Sequence, residues 1–138
     1  MRTFSLALVI FAACLFSLPN TSFADARTEF SRAMKAVQQG DAAAAIEILN
    51  GIVDSGEKVE PKNMASVYNM RGMCYAAKTE NEKALEDFTK ALELDPEMAE
   101  AYGNRAFIWQ AMGDEEKAKE DAKAAKRIDR KVDVPEFK

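Results

Sequence analysis

The side chains that carry most enzymatic chemistry are scarce in this chain. Its 138 residues include no histidine and two cysteines, Cys14 and Cys74. Without an imidazole no Ser–His or Cys–His pair can activate a nucleophile. A zinc site of the usual kind cannot be assembled from so few nitrogen and sulfur ligands, and no glycine-rich phosphate loop occurs. Carboxylates stand together at Glu86/Asp87 and Glu115/Glu116, but helical spacing puts them on outward faces, as solvated surface. What remains is ionic: Arg71 and Arg105 are each followed, 16 residues later, by an acid, Asp87 and Asp121. A pairing that recurs in this way fits an ion pair tying two helices together. The expectation is a protein that is not an enzyme, with no catalytic residue, no metal, no cofactor and no small-molecule substrate.

The two Arg–Asp pairs belong to two copies of one pattern. Residues 64–95 align with 98–129 at a shift of 34 without a gap, and twelve of the 32 pairs are identical, from Met64/Met98 to Asp95/Asp129. Chance would give roughly two at ordinary composition. A period of this size marks stacked supersecondary units. In the first copy Tyr68, Gly72 and Tyr75 recur at helical intervals, and so do Ala84, Phe88 and Ala91. Only residues 78–81 separate the two runs, which leaves room for an antiparallel helix pair and nothing larger. Small residues opposite rings let the two backbones approach closely.

The order Tyr68, Gly72, Tyr75, Ala84, Phe88, Ala91, Pro96 resembles the tetratricopeptide repeat (TPR), and Tyr102, Ala106, Trp109, Ala118, Ala122, Ala125 repeat it. Arg130 stands where the second proline would be, and Arg71 and Arg105 occupy the family's leucine place. A diverged unit precedes these two. Phe30, Ala33, Met34 and Val37 mark an amphipathic helix over 25–39, and Gly40-Asp41 matches the turn Gly113-Asp114. Ala45, Leu49 and Ile52 then fill the places of Ala84, Phe88 and Ala91. The resemblance implies an all-α fold, a right-handed αα-superhelix (solenoid) of three TPR helix–turn–helix repeats. The divisions expected are a signal at 1–24, a diverged first repeat with linker at 25–60, repeats at 61–97 and 98–131, and a C-terminal tail at 132–138. Five residues beyond the period fall in 54–60, as a polar loop or an overlong helix. Pro61 suits a helix's first turn, and Asp95-Pro96 reads as cap and first residue of the last unit. Thr79 replaces the turn glycine in the middle unit, so that turn is expected to be strained or reshaped. The last helix, rich in Lys, Glu, Asp and Ala, is expected to serve as its own cap, its charges forming i,i+4 pairs on a solvated face.

Arg2, the apolar run 4–18 and the small residues Ser22 and Ala24 read as an export signal cleaved after Ala24. The expected location is therefore exported, and periplasmic in a bacterium. An uncleaved anchor and lipidation at Cys14 are the alternatives. Removing the signal takes one of the 19 basic residues and none of the 23 acidic ones, leaving 18 − 23 = −5. That charge argues against a nucleic-acid partner. Cys74 would then be the one thiol, a small buried filler and not a redox centre.

The resemblance places a concave wall along the first helix of each unit, and helical spacing selects its residues. They are Arg27, Phe30, Met34 and Val37; Ser66, Asn69, Met73 and Ala76; and Glu100, Gly103, Asn104, Phe107 and Gln110. This row is the candidate peptide-binding groove, apolar enough to favour an apolar or amphipathic segment of a protein partner. Asn69 and Asn104 could bond to a peptide backbone. The clamp by which one TPR subtype holds chaperone C-termini would fall on Phe30, Met34, Met70, Glu100 and Asn104, of which Asn104 alone has a suitable side chain. The expected function is a non-catalytic protein–protein interaction module, an adaptor or scaffold. The alternative is a structural module that self-associates by end-to-end stacking or as a homodimer.

Overall fold

The computed structural model describes residues 23–55 and 59–137, and among these it contains six helices and no strand. The helices are α1 (Phe23–Gln38), α2 (Ala42–Asp54), α3 (Pro61–Ala77), α4 (Asn81–Leu94), α5 (Ala99–Ala111) and α6 (Glu115–Ile128). They pair as three antiparallel hairpins laid side by side. Between hairpins α2 packs on α3 and α4 on α5, and α3 also touches α5 directly. Residues 1–22 of the expected signal, Cys14 among them, lie outside the described residues, and its last two, Phe23 and Ala24, open α1. No helix among the described residues is long and apolar enough to cross a membrane.

Each hairpin turns the same way. Gly40 and Gly113 adopt φ of 77° and 86°, and Thr79 adopts 60° in the matching place. In each turn the residue after it donates its amide to a carbonyl five residues back: Asp41 to Ala36, Glu80 to Tyr75 and Asp114 to Trp109, all 2.9 Å. The middle turn is thus not reshaped. A β-branched residue is held in the left-handed region, at a cost of about 1–3 kcal/mol. Asp41 and Asp114 also cap the following helix, accepting from the amides of Ala44 at 3.0 Å and Lys117 at 3.1 Å.

Inside the hairpins, small residues face large ones. A Cβ on Gly72 would stand 2.8 Å from Cε1 of Phe88, so the ring lies directly on the α3 backbone. The third hairpin fills the same space with Ala106 and Ala122, both buried. The first hairpin docks onto the second through Ala45, Leu49 and Ile52, which share a core with Met64, Val67 and Cys74. The five extra residues go partly into α3, which starts at Pro61, four residues before the place equivalent to Ala99. The remainder is loop after the α2 cap at Ser55, not an overlong α2.

Two expectations fail at the helix ends. Asp95 and Pro96 do not open α5. Asp95 ends α4, its amide bonded to the Ala91 carbonyl, and its carboxylate accepts from the Glu97 amide at 3.2 Å. The chain needs that turn to reverse direction, so α5 starts at Ala99. Nor does α6 cap itself, because residues 132–137 fold back over the last hairpin and bury Pro135.

The Arg–Asp pairs form and reach further than the spacing suggests. Arg71 grips Asp87 with two bonds of 2.8 and 2.7 Å, and Arg105 grips Asp121 with two of 2.7 and 2.8 Å. Each guanidinium also donates backward to the preceding hairpin, Arg71 to Asn50 at 2.8 Å and Arg105 to Thr89 at 3.1 Å. Tyrosine rings flank both, Tyr68 and Tyr75 around Arg71 and Tyr102 beside Arg105. The hydrogen bond to its aspartate raises each arginine's pKa, and burial opposes this. Asp87 and Asp121 are 4% and 6% exposed, so the outward reading of Glu86/Asp87 is wrong for Asp87. In the first hairpin Arg32 takes the matching place but is exposed and pairs with Glu29 on its own helix, since Ile48 stands opposite.

Replacing Thr79 with Gly should raise stability by about 1 kcal/mol, strain relief outweighing the glycine's extra unfolded entropy. A shifted urea midpoint at unchanged slope would show it. Arg71→Leu should cost about 3 kcal/mol by stranding a buried carboxylate. Joined to Asp87→Ala it should cost less than the two single changes added, by about 1–3 kcal/mol in a double-mutant cycle.

Candidate peptide-binding surface

The inner row is built by register. Met34, Met73 and Phe107 hold equivalent places on α1, α3 and α5, and they are 43%, 46% and 42% exposed. Val37 continues the row at 36%. An exposed side chain of this size, repeated three times on neighbouring helices, lies on one continuous face. Arg27 and Glu100 project into solvent at its edges, and Ala76 is half-buried.

Other expected groove residues are partly engaged. Phe30 is half-buried against the first core. With Arg27 and Ser66 it lines a cleft of about 390 Å³ between α1 and α3, floored by Ile52, Val59 and Val67. The Ser66 hydroxyl donates to the Lys62 carbonyl at 3.3 Å. Asn104 donates its amide to the Asn69 carbonyl oxygen at 3.1 Å, so these two join α5 to α3 and do not stand free. This single contact uses one donor and one acceptor, and leaves each side chain polar capacity for a passing backbone. Gln110 donates instead to the carbonyl of Glu136 at 3.1 Å, and Gly103 lies against the backbone of Asp133. The third of the row formed by α5 is therefore partly covered by the chain's own residues 132–137. Sequence reasoning missed this cover, whose one hint was Pro135 following the last helix.

Among the described residues, no cluster of three or more His, Cys, Asp or Glu side chains could hold a metal ion. The carboxylates at Glu115 and Asp114 are occupied by Lys119 and Lys117 at 2.6 and 2.7 Å. The surface offers shape, apolar area and a few hydrogen bonds.

Tetratricopeptide-repeat family models match residues 65–98 and 99–132. The chain is a tetratricopeptide-repeat protein. The TPR fold recurs in solved structures that align with it. The MamA crystal structure is 22% identical at a TM-score of 0.71, over 83% of this chain and 61% of that one. The second TPR of Spaghetti (RPAP3), bound to HSP90 peptide SRMEEVD, is 25% identical at 0.67, over 75% of this chain and 92% of that one. The Sgt2 TPR domain from Aspergillus fumigatus is 18% identical at 0.69, over 84% and 74%. This TPR chain thus spans about three-fifths of the MamA structure. No curated protein matches it in sequence. The family makes it a protein–protein interaction module, and TPR modules are typically non-catalytic.

Cys74 illustrates the difference between presence and reactivity. It is 3% exposed in the core shared by the first two hairpins, and burial raises its thiol pKa. A buried, protonated thiol is a poor nucleophile. In protein lacking residues 1–24, a disulfide reagent should label it at least a hundredfold more slowly in buffer than in urea, followed by thiolate absorbance.

Proposed function

We propose that this TPR protein is a non-catalytic adaptor that takes an apolar or amphipathic segment of a partner protein along its inner helix row. The observation that supports this most is the exposure of Met34, Met73 and Phe107 in one register. Methionine repacks around guests of different shape, and phenylalanine supplies rigid area. The similar structures with HSP90 peptides hold a segment ending in acidic residues, SRMEEVD. Here the corresponding clamp places are Phe30, Met34, Met70, Glu100 and Asn104. They offer no cation, and Glu100 would repel a carboxylate, so an acidic C-terminus is not the ligand proposed. The alternative, end-to-end stacking, needs a bare apolar face at each end. The last hairpin argues against it, because residues 132–137 cover its end. The reading also includes export, on the strength of the N-terminal segment.

The test is capture of an exported partner on immobilised protein. Met73→Glu should reduce capture at least tenfold while helical circular dichroism is unchanged. Undiminished capture, or self-association as the one interaction detected, would overturn the reading. Amino-terminal sequencing of protein recovered outside the cytoplasm should begin at Asp25.

A further inference from the structure

The segment 132–137 has the form of a bound ligand. It meets α5 at Gly103, beside Asp133, and again at Gln110, whose amide holds the Glu136 carbonyl at 3.1 Å. Seven helical residues advance about 10 Å, and three extended residues advance about the same. The segment therefore runs extended alongside α5. Lys126 from α6 donates to the carbonyls of Arg130, at 3.0 Å, and Val132. The ammonium of Lys119 sits 5.6 Å from the ring centre of Phe137. Pro135 is buried between these contacts.

The last hairpin is adapted to this arrangement. Lys119 and Lys126 replace Leu85 and Leu92 of the middle hairpin. Leu85 and Leu92 belong to the clusters that meet α5 through Ile108 and Ala101. The segment thus lies where the first helix of a further repeat would dock. Gly103 takes the place of Phe30 and Asn69, and a Cβ there would stand 2.5 Å from the Asp133 carbonyl oxygen. The side chains of Gln110 and Lys126 grip backbone oxygens, a mode of recognition that any extended chain can satisfy.

We infer that the α5–α6 face is a second binding site, made for an extended segment of a partner protein with a proline and an aromatic residue two places after it, and that residues 132–137 close it in cis. The site shares Gly103 and Gln110 with the α5 end of the inner row but leaves Met34 and Met73 untouched, so Met73→Glu tests the two readings separately. Recognition rests on the backbone oxygens held by Gln110 and Lys126, the buried Pro135 and the Phe137 ring beside Lys119.

The probe is a fluorescein-labelled peptide of residues 131–138, titrated by anisotropy against the full chain. A tethered segment competes at roughly millimolar effective concentration. The Pro135→Gly/Phe137→Ala protein should therefore bind the peptide at least tenfold more tightly than wild type. Adding Gly103→Val should return binding to the wild-type level, and Met73→Glu should leave it unchanged. Equal binding to wild type and variant, binding by neither, or binding that survives Gly103→Val would overturn the inference. If the double variant loses helical circular dichroism, Phe137→Ala alone carries the same comparison, since it removes one half-buried surface ring.

Discussion

Two guanidinium–carboxylate pairs, half-buried arginines on buried aspartates, set the geometry on which the stack depends. Arg71 binds Asp87 across its own hairpin and Asn50 on the hairpin before; Arg105 does the same with Asp121 and Thr89. Each arginine therefore joins three helices, fixing both the hairpin angle and the step to the next unit. The planar fork suits this task, since it offers five donors in fixed directions and stacks on aromatic rings. An aliphatic side chain in the same place would fill the volume without specifying the register. Burying such a pair is not a large source of stability in itself. Its value lies in the one arrangement that satisfies it, and no buried side-chain polar atom among the described residues lacks a hydrogen-bond partner.

Around those pairs the core works by exchange of volume. Gly72 under Phe88 and Ala106 beside Ala122 are two solutions to the same contact. The first hairpin uses a third, with Ala33 and Leu49 fully buried and, among the described residues, no ion pair between its two helices. Among the described residues this hairpin packs on one neighbour, fixed by aliphatic packing onto Met64 and Val67. The last hairpin is closed differently, by an extended strap held through backbone carbonyls on a face carrying lysines in place of leucines.

A scaffold so braced presents side chains without needing to move. Met34, Met73 and Phe107 are held in line because their helices are held in line, and the Asn69–Asn104 bond ties α3 to α5 at the same face. The two proposed surfaces differ in chemistry. The inner row is apolar and carries methionine. The end face carries lysines in place of leucines and holds an extended backbone.

Much of this was legible before any coordinates. A 34-residue period, helical spacing of small and aromatic residues, and Arg and Asp always 16 apart encode local structure and nearest-neighbour contacts, which repeat because the units repeat. The same regularity misled at Asp95-Pro96, where the dipeptide looks like a helix start but the reversal of the chain makes it a turn. It also hid the burial of Asp87, since a carboxylate reads as solvated until its partner is placed. Nothing in the spacing marked Asn69 and Asn104 as partners, or Gly103 as a seat for residue 133. By itself the sequence determined what each hairpin is, because that information lies within 34 residues. Tertiary structure alone decided what meets across hairpins and where the strap lies, because those contacts depend on the angle at which one unit settles on the next.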